Sequence, residues 1–176
     1  MGKGKRNILI SGLPGIGKTT LIKKIYQELK DQSPIGFYTE EIRNEGQRKG
    51  FQLIGLNGHR TIFAHVLIES SYHVGKYRVD IEAFDKFLDS LNLKNSKNNL
   101  IIIDEIGKME CLSSKFIKLI WDILDSENKV IATISHTDGG IKGKIKQRED
   151  VELLKMNLNN RESILNEILE IIKTTD

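Results

Sequence analysis

Eight consecutive residues constrain this chain more than any other feature: Gly12-Leu13-Pro14-Gly15-Ile16-Gly17-Lys18-Thr19. They match G-x-x-x-x-G-K-[ST], and they lie where that pattern needs them. A short apolar run at residues 7–11 reads as a strand before the turn. After it, Leu21, Ile22, Ile25 and Leu29 recur at helical spacing through residues 18–30. The chemistry follows from the residue types. Glycines let backbone N–H groups wrap closely around phosphates, and the helix that starts there adds the positive end of its dipole. Lys18 is placed to reach the β- and γ-phosphates, and the Thr19 hydroxyl to ligate Mg²⁺. Thr20 adds a second hydroxyl, toward the α-phosphate. A strand, a phosphate-wrapping turn and a helix open the chain.

The remainder alternates strands with helices. Ser33-Pro34 ends the first helix. Residues 35–43, 49–56 and 59–65 read as extended, with Gly46 in the first turn and Asn57-Gly58 as a two-residue hairpin signal in the second. Two antiparallel strands are therefore expected as an insertion after the second strand. Asp80 can cap a helix reaching residue 91, whose buried side carries Phe84, Phe87, Leu88 and Leu91. A polar loop at 94–99 leads to Leu100-Ile101-Ile102-Ile103-Asp104, a strand with the apolar continuity of burial on both faces. Then come a helix at 114–126, a strand at 129–134, a glycine- and lysine-rich stretch at 138–148 and a strand at 151–158. A final helix is expected from Asn159 or Asn160 to Lys173. This order predicts one α/β domain over residues 1–176, with a mostly parallel sheet and helices on both faces. With 26 isoleucines and only 6% aromatic residues, the core should be mostly aliphatic.

Composition narrows the classes of function. The net charge of +3 is too mild to argue for a polyanionic partner by itself. Two basic clusters, Lys3-Lys5-Arg6 and Lys142-Lys144-Lys146-Arg148, keep nucleic acid open as a partner. No apolar run reaches the ~18 residues of a membrane span, and the first residues lack a signal-peptide core. Arg6 stands where a myristoylation motif wants Ser or Thr. A lone Cys111 allows no internal disulfide and fits a reducing compartment. A soluble, cytoplasmic, monomeric protein is expected.

Asp104 ends a buried strand, where a second magnesium-ordering carboxylate belongs. Glu105 beside it is more informative. A kinase must keep water from the γ-phosphate, whereas a hydrolase needs a group that orients and deprotonates water. Cations near the phosphates would stabilise the charge spread over the γ-phosphoryl group. Lys108 ranks first for that role by its nearness to Asp104, then Arg48, then Arg43, for which a local pair with Glu40 or Glu41 is the competing reading. Arg161 could stack on the base. One tempting motif fails: Asn128-Lys129 is followed by Val130-Ile131, so no Asn-Lys-x-Asp is present to grip guanine. His59, His65, His73 and His136 lack metal-ligand spacing. Trp121 and Cys111 read as core.

The run Asp104-Glu105-Ile106-Gly107-Lys108-Met109-Glu110 resembles the signature of the thermostable nucleoside-triphosphatases, a family that includes the human cancer-related nucleoside-triphosphatase. Four further blocks resemble it in order: Gly36-Phe37-Tyr38-Thr39-Glu40-Glu41-Ile42-Arg43, Arg48-Lys49-Gly50-Phe51, Val74-Gly75-Lys76-Tyr77-Arg78-Val79-Asp80 and Ala132-Thr133-Ile134. Asn160-Arg161 looks like the family's Asn-Arg pair. The resemblance implies a RecA-like, additional-strand P-loop NTPase fold, magnesium-dependent release of phosphate from several nucleoside triphosphates, and slow turnover. The chain departs from the pattern at Cys111-Leu112, at Ser135 and through residues 139–148, which leaves a sensor role open for Thr133, Ser135 or His136. Two other readings stand beside hydrolysis. One is a P-loop kinase for a small acceptor such as a nucleoside or nucleotide, with residues 39–43 lining the acceptor pocket. The other is a nucleotide-gated, RNA-associated switch.

Overall fold

The computed structural model describes residues 6–95 and 99–174. Lys3, Lys5 and much of the loop expected at 94–99 lie outside those residues. The chain runs β1 (Asn7–Gly12), α1 (Lys18–Leu29), β2 (Ile35–Asn44), β3 (Gln47–Gly55), β4 (Arg60–His65), β5 (His73–Val74) and β6 (Tyr77–Val79). It continues α2 (Ile81–Ser90), β7 (Leu100–Ile106), α3 (Ser114–Asp125), β8 (Lys129–Ser135), α4 (Ile141–Lys146), β9 (Val151–Lys155) and α5 (Ile164–Thr174). The strands form one sheet in the order β5-β6-β4-β3-β2-β7-β8-β1-β9. From β2 to β9 every pairing is parallel, and from β2 to β5 every pairing is antiparallel. β8 stands between β1, which leads into the glycine-rich turn, and β7, which carries Asp104. That is the additional-strand arrangement of RecA-like P-loop folds.

Strand periodicity of two sends alternate side chains to opposite faces. Ile8, Ile10, Leu100, Ile102 and Ile131 pack with α1 and α5, while Leu9, Ile101, Ile103, Val130 and Ala132 pack with α2 and α3. The face under α1 and α5 is aliphatic, as expected. The other is also mostly aliphatic but holds an aromatic cluster: Phe37, Phe63, Phe84, Phe87 and Phe116 are all buried there, with ring centroids 4.6 Å apart for Phe63–Phe84 and 5.7 Å for Phe37–Phe87. Those few aromatic residues are concentrated where α2 and α3 must cover the broadened sheet, a placement that composition alone does not give.

The helix caps follow the residue types. Asp80 Oδ1 accepts from the Ala83 N–H at 2.9 Å and starts α2, and Ser113 Oγ accepts from the Phe116 N–H at 3.0 Å and starts α3. Three expectations need correction. The insertion is larger than one hairpin: β3 through β6 form a four-stranded antiparallel extension, whose last two strands have two and three residues. Within the glycine- and lysine-rich residues 138–148, Ile141–Lys146 form α4. The last helix starts at Ile164, because Asn157 and Asn160 tie the preceding residues into a turn. Asn157 Oδ1 accepts from the N–H groups of Asn159 and Asn160, and Asn160 Oδ1 accepts from Asn157 N–H. The Asn57-Gly58 turn exists in a longer form than two residues, closed by Gly58 N–H to Gly55 O and Gly55 N–H to His59 O.

Candidate functional site

The carboxyl ends of β1, β7 and β2 open into a cleft of about 940 Å³. Its floor is the glycine-rich turn. Gly17 sits at φ 107° and starts α1 with no side-chain cap, so the helix's first N–H groups face the turn without a side-chain acceptor. Lys18 is 8% exposed and its Nζ donates to Gly12 O at 2.9 Å and Leu13 O at 3.3 Å. Pro14, Gly15, Gly17, Lys18, Thr19 and Thr20 line the cleft. Gly12, Leu13 and Ile16 do not. Gly12 is closed in by Met156, Leu13 points outward at 63% exposure, and Ile16 packs into the core beside α1.

Alternation along β7 places Asp104 on the same face as Leu100 and Ile102, toward α1. There it is 1% exposed and accepts from the Thr19 hydroxyl at 2.7 Å and the Thr133 hydroxyl at 2.7 Å. The Thr39 hydroxyl donates to the Asp104 carbonyl at 2.7 Å. Burial pushes the Asp104 carboxyl above the usual range, and the bonds from Thr133 and Thr19 pull it back. Thr19 and Asp104 thus present hard oxygen donors side by side, a donor set that suits Mg²⁺.

Glu105 is half-buried in the cleft wall; burial raises its carboxyl, opposed by Lys18 and reinforced by Asp104. A second carboxylate, Glu110, faces the same space from the turn after β7. An atom added at Gly107 would lie 2.7 Å from Glu110 Oε2 and 3.3 Å from Glu105 Oε1, so the two carboxylates close over a position only glycine leaves free. Glu110 is 7% exposed, and burial, then the Glu105 charge, raise it to about 8. Lys108 lines the cleft between them, exposed, with no hydrogen-bond or ion-pair partner among the described residues.

The far wall belongs to the antiparallel extension. Arg48 reaches the cleft but is already engaged: it donates to Glu41 at 2.7 Å and to the Tyr77 hydroxyl at 3.0 Å, and its guanidinium lies 5.3 Å from the centroid of the Phe51 ring. Arg43 stays out of the cleft lining and pairs with Glu41 at 2.6 Å while donating to Gly46 O at 2.8 Å. The local-pair reading describes Arg43, and its phosphate-contact reading is corrected accordingly. Lys23 on α1 pairs with Glu40 at 2.6 Å, joining this wall to the phosphate end.

Arg161 is placed outside the cleft, in the turn before α5. Its side chain comes within 3.8 Å of a Cβ built on Gly17, and Glu162 is 3.6 Å away. The basic stretch on α4 is largely spent on the protein itself. Lys142 donates to Thr137 at 2.8 Å, Lys146 to Asp138 at 2.7 Å, and Arg148 pairs with Asp125 at 2.8 Å and Asp150 at 2.7 Å. Ser135 lines the cleft, its hydroxyl hydrogen-bonded to that of Thr137 at 3.0 Å, while His136 lines a separate small pocket. Cys111 packs half-buried on the core, with its thiol raised by burial to about 11. Among the described residues no group of His, Cys, Asp and Glu has the make-up of a metal cluster, and no helix is long and apolar enough to cross a membrane. The Asp104 contacts from Thr39 and Thr133 carry no local sequence signal, because they join residues far apart in the chain.

Residues 7–169 match the sequence pattern of the family described as NTPase. The chain is 47% identical over 167 residues to the nucleoside-triphosphatase THEP1 of Thermotoga sp. (strain RQ2), covering 94% of this chain and 95% of that protein. Among solved structures, the crystal structure of THEP1 from the hyperthermophile Aquifex aeolicus superposes with a TM-score of 0.84 at 36% identity, covering 94% of this chain and 98% of that one. The solution structure of a human cancer-related nucleoside triphosphatase also gives 0.84, at 32% identity, covering 97% and 99%.

Proposed function

The chain belongs to the NTPase family, an enzyme acting on nucleoside triphosphates, and from that premise we propose that it hydrolyses them to diphosphate and phosphate with Mg²⁺ and little choice among bases. The single observation that carries the reading is Glu105 in the cleft wall, one residue past Asp104 and facing the phosphate turn. Lys18 and the first N–H groups of α1 bind the phosphates. Thr19 and Asp104 would hold Mg²⁺, which when bound neutralises charge on the β- and γ-phosphate oxygens. Glu105, with burial raising its affinity for a proton, orients a water molecule toward the γ-phosphorus and takes its proton as the O–P bond forms. The β–γ bridging bond breaks and its electron pair leaves with the diphosphate. Lys108, exposed and unpaired, supplies the cation for the γ-phosphoryl oxygens, whereas Arg48 is held by Glu41 and Tyr77. Arg161 lies beside Gly17, outside the cleft, in a position to pack against the base.

No group among these reads a base edge, so affinity comes from the phosphates. The test is phosphate release from ATP, GTP, CTP and UTP, with and without Mg²⁺ and with no acceptor present. The four should agree within about a hundredfold in kcat/KM, roughly 3 kcal/mol. A need for an acceptor would move the assignment to a kinase. A preference of many thousandfold for one base would remove the phosphate-dominated reading.

A further inference from the structure

Three polar side chains lie at the end of β8, and two of them are already committed. Thr133 donates to Asp104 Oδ1 at 2.7 Å. His136 lines the separate small pocket with Ser11 and Lys155. Ser135 remains. Strand alternation puts it on the face of Ile131 and Thr133, toward α1. In register it stands opposite Gly12, where the glycine-rich turn begins, and on its other side β7 carries Asp104 and Glu105. It is half-buried and lines the cleft. The turn encloses the β-phosphate, so this place between Gly12 and Glu105 belongs to the γ-phosphoryl group and its attacking water.

What stands behind Ser135 sets the direction of its proton. Its hydroxyl lies 3.0 Å from that of Thr137, and Thr137 Oγ1 accepts from Lys142 Nζ at 2.8 Å. An ammonium only donates, so it occupies a lone pair of Thr137 and turns the Thr137 proton toward Ser135. Ser135 then keeps its own proton for the cleft, where it makes no other hydrogen bond among the described residues. A phosphate oxygen only accepts, so a bound phosphate requires the same direction from the other end. Hydroxyls aligned in this way polarise one another. Lys142 is half-buried on α4 with no carboxylate partner among the described residues. Its charge is near the cleft: burial raises the Glu105 carboxyl, and Lys142 joins Lys18 in opposing that rise. Donors and acceptors fix the direction, whatever the balance of Glu105 and Glu110 against Lys108. We propose that Ser135 is a further catalytic residue, donating to a γ-phosphoryl oxygen under the drive of Lys142 through Thr137, and so tells a triphosphate from a diphosphate. The proposal rests on the cleft being the triphosphate site.

The test compares two ligands that differ by the γ-phosphate. With Mg²⁺ present, titration calorimetry measures Kd for a non-hydrolysable ATP analogue and for ADP. Ser135→Ala should raise Kd for the analogue about tenfold, the scale of one hydrogen bond to a charged oxygen, and leave ADP within about twofold. Ser135→Thr, which keeps the hydroxyl, should stay within about threefold of the parent for both. Thr137→Val and Lys142→Met should each weaken the analogue by about threefold or more and spare ADP. In the double variant Ser135→Ala with Lys142→Met, the loss should be no greater than for Ser135→Ala alone, because Lys142 acts through the missing hydroxyl. A cooperative melt reports folding; if Ser135→Ala fails there, the isosteric pair Ser135→Thr and Ser135→Val makes the same comparison. Equal loss for analogue and ADP would overturn the proposal, since a merely structural role weakens both. So would an unchanged analogue affinity in Ser135→Ala, or additive losses in the double variant. Phosphate release by the parent is measured separately. A chain that hydrolyses triphosphate without a selective loss in Ser135→Ala overturns this role alone, and one that neither binds nor hydrolyses triphosphate overturns the function as well.

Discussion

The two ends of the cleft hold their charges in opposite ways. At the phosphate turn, Lys18 and Asp104 are buried, yet neither is in an ion pair among the described residues. Lys18 donates to backbone carbonyls, and Asp104 is held by threonine hydroxyls. On the antiparallel wall, Arg43 and Arg48 share Glu41, and Lys23 takes Glu40, all with side chains at least 31% exposed. A buried charge without an opposite charge is costly by several kcal/mol unless something else supplies compensation, while exposed pairs are each worth about 0–1 kcal/mol. In the first arrangement Lys18 eases the charge on Asp104 without bonding to it, which leaves both groups open to a magnesium-bound triphosphate. The second stabilises a wall. The contrast separates groups kept for chemistry from groups that shape its surroundings.

The contrast can be broken most severely at Lys18. Lys18→Ala should cut turnover by about a thousandfold or more while the melt stays near that of the parent, because its hydrogen bonds among the described residues are to the Gly12 and Leu13 carbonyls. Near-normal hydrolysis would overthrow the P-loop assignment. Next is Glu105→Gln, which keeps size but cannot take a proton. Turnover should fall about 10²–10⁴-fold with magnesium–nucleotide affinity unchanged, while Asp104→Asn loses magnesium-dependent binding as well. Normal kcat in Glu105→Gln with normal binding would mean that the water is handled elsewhere.

The comparison then sets unpaired against paired cations. Lys108→Ala should lower kcat by about 10–100-fold, and Arg43→Ala by less than about twofold, measured side by side on one triphosphate. Equal losses would erase the distinction between the two ends. The smallest effect concerns stability. The folded value of Glu110 is about 8 against an ordinary 4.5, so the unfolded chain releases this proton first as pH rises. Stability is therefore lost between those two values. Glu110→Gln removes that loss, and its Tm should exceed the parent's by about 5 °C at pH 8 and match it near pH 4.5. A variant less stable than the parent at pH 8 would show that Glu110 is charged and compensated there.

Most of the phosphate end was legible in the sequence because its signals are local. The glycine turn is contiguous, Asp104 terminates an unbroken aliphatic strand, and Asp80 stands next to the helix it caps. The opposite wall lacks such signals. β5 and β6 are too short for a periodic pattern, and the resemblance through Val74 to Asp80 marked them without saying that they form strands. α4 was hidden by its own composition, since only Ile141 and Ile145 repeat at helical spacing among lysines and a glycine. Gly143 is needed there for contact, as a Cβ would come within 2.3 Å of the Asp138 carbonyl oxygen. Thr39 and Thr133 became part of the Asp104 environment only when β2, β7 and β8 were laid side by side, a long-range fact that single-sequence pattern does not carry. Arg43 and Arg48 looked alike in the sequence and lie opposite one another across β2 and β3, yet only Arg48 reaches the cleft lining.

The sheet order also dictates when this protein can first function during its synthesis. β1 is made early, yet its partners are β8 and β9, with Asn7 opposite Val130 on one side and Val151 on the other. Translation runs N-terminus first, so the strand that launches the phosphate turn waits unpaired until most of the chain has left the ribosome. The antiparallel strands, close together in sequence, can pair in the meantime. Nascent chains halted before residue 151 should leave the turn unsupported on one side, and nucleotide binding should arise as one of the last events of maturation.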